Sequence, residues 1–262
     1  MLLTICCSGI LNKLYGVSWI HGLGYQPHVA LYEDPLMLKN KMKEKYDVQF
    51  SQIDAAFPLS GKDGPTYGTP YVLKAIPWAK HAGCQCIAIT DGLHKPEVMS
   101  DEKAMDMMKE QFEQILEVAE AYKMQMNIEV HGYYTTNPDM LEKMLNFCDS
   151  EYLGLNMDTG NTFIAGRGPV EFLKRFIDKV RYVHIKDVSE SLAAAFTGFK
   201  YRNAEDPSSG VIPLSEGKRN TVAGLKKLAL LAGRYGVNIY LEHLNSKISN
   251  DNNRGHPGYL SN

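Results

Sequence analysis

The sequence predicts a (β/α)8 barrel, and three observations carry that reading. Short segments alternating apolar and polar residues recur along the 262-residue chain, as they do in strands, whose successive side chains point to opposite faces. Segments with helical periodicity lie between them. The less apolar face of these strands carries small or polar side chains and ends in a polar group. A doubly wound sheet covers both faces with helices, so both would read apolar; a polar inner face fits a closed barrel with its chemistry inside.

In chain order, LTICCSGI is a weak first strand. PLMLKNKMKEKYD, with Pro35 near its start, leads into VQFSQIDAAF, the second strand. GTPYVLKAIPWAKHAG then leads into QCIAITDG, where Ile87 and Ile89 face out and Cys86, Ala88 and Thr90 face in. The next helix opens at Asp101 and Glu102 and places Met108, Phe112, Ile115, Leu116 and Ala119 on one face, the spacing of a buried stripe. Met126, Ile128 and Val130 form the outer face of the fourth strand, opposite Asn127, Glu129 and His131. NPDMLEKMLNFC and GPVEFLKRFIDKV each carry a proline in the first turn, where its missing N–H costs nothing. They flank YLGLNMDTGN, the fifth strand, and precede RYVHIKDV, the sixth, in which Tyr182, His184 and Lys186 share the inner face. GVIPLSEG is a weak seventh strand. AGLKKLALLAGRYG is a helix capped by Gly236, and NIYLEHLN is the eighth strand. Repeated strand–helix–strand order implies a parallel sheet. The whole chain, 1–262, is expected to be one domain, with an atypical first unit over 1–47 and a polar tail over 245–262.

Composition narrows the function. Hydrophobic residues are 44% and charged residues 22%, the balance of a globular protein able to bury a core without metal or disulfides. Formal net charge is −2, from 28 basic and 30 acidic residues, and there is no basic stripe for a nucleic-acid backbone. The five cysteines are scattered and odd in number, as in a reducing compartment. With no charged leader and no membrane-length apolar run, the expectation is a cytoplasmic protein with no membrane partner.

Chemistry sits at the carboxyl ends of barrel strands. There the inward residues are Glu129, Asp158, His184 and Glu242, spaced by 29, 26 and 58 residues. One βα unit takes roughly 30 residues, from about 250 shared among eight. The four therefore return at one, one and two units, on strands four, five, six and eight. Three carboxylates and an imidazole form a hard, oxygen-rich set suited to one divalent cation, Mn²⁺ first, with Mg²⁺, Co²⁺ or Zn²⁺ able to substitute. A single inward acid or histidine is commonly a hydrogen-bonded core group. Four in register are not, because clustered buried carboxylates repel and resist ionisation unless a cation joins them.

The strand ends IEVHG, NMDTGN, VHIKD and LEH, with DAAFPLSG, LKAIPWAKHAGCQCIAITDG and SEGKRN, resemble the sugar phosphate isomerase/epimerase superfamily, the xylose isomerase-like barrels, from about Val48 to Leu244. The resemblance implies that Glu129, Asp158, His184 and Glu242 are the metal ligands. It also implies that Glu129 and Glu242 are the two proton-transfer groups of an isomerase or epimerase acting on a keto sugar or sugar phosphate through a metal-stabilised enediolate. Alternatives are a lyase or dehydratase on keto sugars or 3-keto-C-glycosides, a hydroxypyruvate isomerase-like enzyme, and a non-catalytic barrel subunit. His131 and Lys186 are candidate substrate-binding groups, and Trp19 is a candidate wall of the substrate site. Asn161 is another substrate-binding candidate; it stands where several relatives have a histidine, against the multi-metal endonuclease type. No closing helix follows Glu242, so the tail and the aromatic segment around Trp19 and Tyr25 are expected to cover apolar surface by homo-oligomerisation.

Overall fold

The computed structural model describes residues 4–5, 34–47, 49–92, 95–96, 98–185 and, within 226–234, all but 228 and 232. The elements are β1 (Thr4–Ile5), α1 (Pro35–Tyr46), β2 (Gln49–Phe50), β3 (Ile53–Pro58), α2 (Thr69–His81), β4 (Cys86–Thr90), α3 (Asp101–Tyr122), β5 (Gln125–Glu129), α4 (Pro138–Leu145), β6 (Leu153–Asp158), α5 (Thr159–Ile164), α6 (Pro169–Phe176) and β7 (Val180–His184). Residues 226–227, 229–231 and 233–234 are helical, within the helix expected ahead of the last strand. The expected seventh and eighth strands, Trp19, Lys186, Glu242 and the 245–262 tail lie outside the described residues.

Helix ends follow their capping chemistry. Asp34 accepts from the backbone N–H groups of Leu36 and Met37 at 2.8 and 3.1 Å, with Pro35 opening α1. Ser100 caps α3 by accepting from Lys103 N at 3.2 Å, ahead of Asp101 and Glu102, whose charges suit the positive helix end. Lys123, at φ 52°, turns the chain out of α3 into β5. The α3 stripe Met108, Phe112, Ile115, Leu116 and Ala119 is buried as its spacing requires.

The strands run in the order β3-β4-β5-β6-β7, every neighbouring pair parallel. That order matches chain order without reversal, so the winding is single and a doubly wound sheet is excluded for this part of the chain. The sheet also curls upon itself. Ser51, between β2 and β3, shares a 2.8 Å hydrogen bond with the Tyr182 hydroxyl on β7, bringing together the two ends of the five-strand order. Outer-face Ile53, Ile87, Ile89, Met126, Ile128, Leu155 and Met157 join Ala75, Ile76 and Phe112 of the helices in one apolar cluster. The expected second strand is two short ones: β2 pairs with β1, and β3 with β4, on either side of Ser51 and Gln52. Among the described residues no helix is long and apolar enough to cross a membrane.

Candidate metal centre

Glu129, Asp158 and His184 are the last residues of β5, β6 and β7. Ladder register alone would misalign them, because Glu129 faces Asn156, and Asn156 faces Tyr182, two residues short of His184. Strand tilt corrects this. A closed barrel of eight staggers by about one residue per strand, so crossing two strands lifts the match from Tyr182 to His184. The observed contact agrees: His184 Nδ1 lies 3.0 Å from Glu129 Oε1 and 3.7 Å from Asp158 Oδ2. One donor atom from each of the three residues falls within 4.8 Å of the others, and all three side chains are buried.

Local structure aims each group. Asp158 ends its strand and caps α5, its Oδ1 accepting from Asn161 N at 2.7 Å while Thr162 Oγ1 donates to Asp158 O at 2.6 Å. That leaves Oδ2 toward His184. The Tyr182 ring meets His184 edge-on, centroids 5.6 Å apart. Below them lies a layer of amides: Asn127 Nδ2 donates to Gln52 Oε1 at 3.2 Å, and Asn156 Nδ2 approaches the His184 ring. Two carboxylates beside one imidazole, taken out of water, carry negative charge that is costly to bury unless a cation compensates it. The donor set therefore fits a divalent ion, and hard oxygen ligands with one nitrogen suit Mn²⁺, Mg²⁺ or Zn²⁺ alike.

The other sequence candidates fall differently. Asn161 reaches the centre through its backbone N–H on Asp158, and its buried Nδ2 has no hydrogen-bond partner among the described residues. His131 does not continue the inward alternation. The strand stops at Glu129, and His131 is exposed on the turn that follows, its N–H donating to Thr135 Oγ1 at 3.1 Å. Lys186, Glu242 and Trp19 are outside the described residues.

Asp91, a residue the sequence did not single out, organises that turn. It follows β4 directly and is buried. Its Oδ2 accepts from Tyr134 N at 2.6 Å and its Oδ1 from Thr135 Oγ1 at 2.9 Å. Thr135 Oγ1 in turn accepts from the N–H of Gly132 at 2.8 Å. The signal in TDG reads as an ordinary turn aspartate, since only the tertiary contact reveals the anchor. Burial is the largest influence on its carboxyl and pushes its pKa above the ordinary 3.8. A carboxyl raised on folding favours the folded state most below its unfolded pKa, and that contribution fades as pH rises through the folded value. Unfolding free energies of wild type and Asp91→Asn, measured against pH, are expected to show the aspartate's relative contribution falling from pH 3.8 upward; a rising difference contradicts this.

Gly132 is equally constrained, because a Cβ there would lie 1.8 Å from Gly92 O and 2.1 Å from Asp91 Oδ1. Since Gly92 O is backbone, the clash cannot relax cheaply. Gly132→Ala is expected to lose about 1–3 kcal/mol or more, the cost of overpacking, in urea unfolding.

A model of the xylose isomerase-like TIM barrel matches residues 16–216. The chain belongs to that family. Within it, an inosose dehydratase of Clostridium botulinum (strain Eklund 17B / Type B) is 30% identical over 63 residues, which is 24% of this chain and 20% of the relative. The matched stretch is thus about a fifth of the relative's length. Among solved structures, the probable 3-DHS dehydratase AsbF of Bacillus anthracis, involved in petrobactin synthesis, aligns with a TM-score of 0.61 at 16% identity, covering 94% of this chain and 92% of that one. A D-tagatose 3-epimerase-like protein aligns at 0.57 and 19% identity, covering 72% and 77%. At these identities the likeness is one of fold. The buried Glu129–Asp158–His184 cluster lies at the strand ends of that barrel fold.

Proposed function

We propose that this chain is a divalent-metal-dependent isomerase or epimerase of a keto sugar or sugar phosphate. The observation carrying the proposal is the convergence of Glu129, Asp158 and His184 at the ends of three adjacent strands. Glu242, from the last predicted strand, is proposed as the fourth ligand. A bound ion, Mn²⁺ in our reading, would polarise the substrate carbonyl and offset the charge left when the neighbouring carbon is deprotonated.

The proton work belongs to the protein. Glu129, whose Oε1 sits 3.0 Å from His184 Nδ1, is proposed to take the proton from the carbon next to the carbonyl. Glu242 delivers one to the opposite face for epimerisation. For isomerisation, the proton instead returns to the adjacent carbon. His131 and Lys186 are proposed to bind substrate hydroxyl or anionic groups, with Trp19 as a wall. Burial of the cluster keeps bulk water from reprotonating the carbanion at random.

A second reading is favoured by the similarity to inosose dehydratase. Loss of the same proton, followed by departure of a β-hydroxyl as water, gives dehydration in place of epimerisation. Incubating metal-loaded protein with ketoses, their phosphates and an inosose separates the two. An isomer or epimer keeps the substrate's mass, and dehydration removes one water. No reaction with any of these would remove both readings.

A further inference from the structure

The β5 ladder ends at Glu129, which pairs with Asn156 on β6. One further bond follows, from Val130 N to Asn156 O at 3.3 Å. The next two backbone N–H groups, of His131 and Gly132, have left the sheet, and a single side chain collects both. Thr135 Oγ1 accepts from His131 N at 3.1 Å and from Gly132 N at 2.8 Å. Its own proton goes to Asp91 Oδ1 at 2.9 Å, a carboxylate oxygen nearer than Gly132 O at 3.4 Å. A hydroxyl has one proton to donate and two lone pairs to accept with, so every position on Thr135 Oγ1 is taken. Both Thr135 and Asp91 are buried.

The far side of this link is fixed as well. Ser60 N donates to Asp91 O at 2.9 Å, and Tyr134 N donates to Asp91 Oδ2 at 2.6 Å. The Tyr134 hydroxyl donates to Asp101 Oδ1 at 3.1 Å, at the start of α3. Asp91 thus holds the O–H of Thr135 toward β4 and leaves both lone pairs facing the turn. Glu129 is the residue at which the sheet lets go, so the path of the chain just beyond it sets where its carboxylate points. A rotation there swings Oε1 away from His184 Nδ1, 3.0 Å distant.

We propose, resting on the metal reading above, that Thr135 is a positioning residue whose hydroxyl aims Glu129 at the candidate metal centre. Valine has the same shape but neither proton nor lone pair, and it leaves the buried Gly132 N–H unpaired. Serine keeps the hydroxyl and loses only a methyl group. The two variants separate the bond from the packing.

Two measurements on the full chain test this. Amide hydrogen exchange without metal, read by NMR, reports whether Gly132 N–H is bonded. Its protection is expected in wild type and Thr135→Ser and lost in Thr135→Val. Calorimetric titration with Mn²⁺ reads the aim of the ligand. Thr135→Val is expected to bind Mn²⁺ about 10- to 100-fold more weakly, the usual effect of losing a group that orients a ligand, while Thr135→Ser stays close to wild type. Ile115→Val, which removes a buried methyl from α3, controls for lost stability and should bind Mn²⁺ as wild type does. Equal affinity in wild type and Thr135→Val, or an equal loss in Ile115→Val, overturns the positioning role and leaves the metal site standing. A loss in Thr135→Ser as large as in Thr135→Val assigns the effect to packing and overturns it too. Wild type that binds no Mn²⁺ overturns the metal reading, and the aim toward a metal with it. Thr135→Ala, which also lacks the hydroxyl but brings no bulk, takes the place of a valine variant that does not fold. An unprotected Gly132 amide in wild type overturns the proposal without any variant.

Discussion

Asp158→Ala and His184→Ala are each expected to lose metal binding by more than the 10- to 100-fold that removal of an orienting partner costs, and to lose activity with it. Both side chains are buried and each contributes a donor to the cluster, so each truncation removes one ligand atom from the ion. Asp158→Ala carries a second loss, because its Oδ1 caps α5 through Asn161 N; an N-cap is worth about 0.5–2 kcal/mol. The two effects separate in measurement. Calorimetric titration with Mn²⁺ reads the first, and thermal unfolding in chelator reads the second. His184→Ala should show the first effect without the loss of the cap. Wild-type metal affinity in either variant would exclude that residue as a ligand.

Glu129→Gln is expected to reduce turnover by about 10²- to 10⁴-fold, the span typical of a general acid or base, with a much smaller change in substrate affinity. An amide cannot accept the proton, yet it keeps the size and one oxygen of the glutamate. A parallel metal titration is needed, because Glu129 is both a candidate ligand and the candidate base. Loss of turnover at full metal occupancy assigns the base; loss that more metal restores assigns only the ligand. Unchanged turnover removes Glu129 from proton transfer.

Much of this site was legible because barrel geometry is periodic. Alternation in MNIEVHG, YLGLNMDTGN and RYVHIKDV put Glu129, Asp158 and His184 inward, and spacing near one unit put them on neighbouring strands. The structure places all three accordingly. Alternation failed where the chain leaves the sheet. His131 keeps the parity of Glu129, yet Gly132 packs against Gly92 O and turns the chain, so parity no longer predicts direction. Asp91 was illegible for a related reason: a turn aspartate and a buried anchor look identical until the Tyr134 and Thr135 donors are folded onto it. VQFSQIDAAF read as one strand because its pattern runs through Ser51 and Gln52, whereas its backbone pairs with β1 before that point and β4 after it.

The unbroken order of β3 to β7 also bears on how the chain reaches this state. Each strand pairs with the one formed next in the chain, so every ladder closes a loop of about one βα unit, roughly 30 residues, and closure entropy grows only slowly with such lengths. Pairings of modest sequence separation form faster than those joining distant segments. The central strands can therefore assemble as a cooperative unit before the chain ends are in place, and three candidate ligands arrive together on that unit. Amides of β4, β5 and β6, flanked on both sides, are expected to exchange with solvent most slowly among the described strands, and an ion bound there would slow them further by favouring the state that binds it.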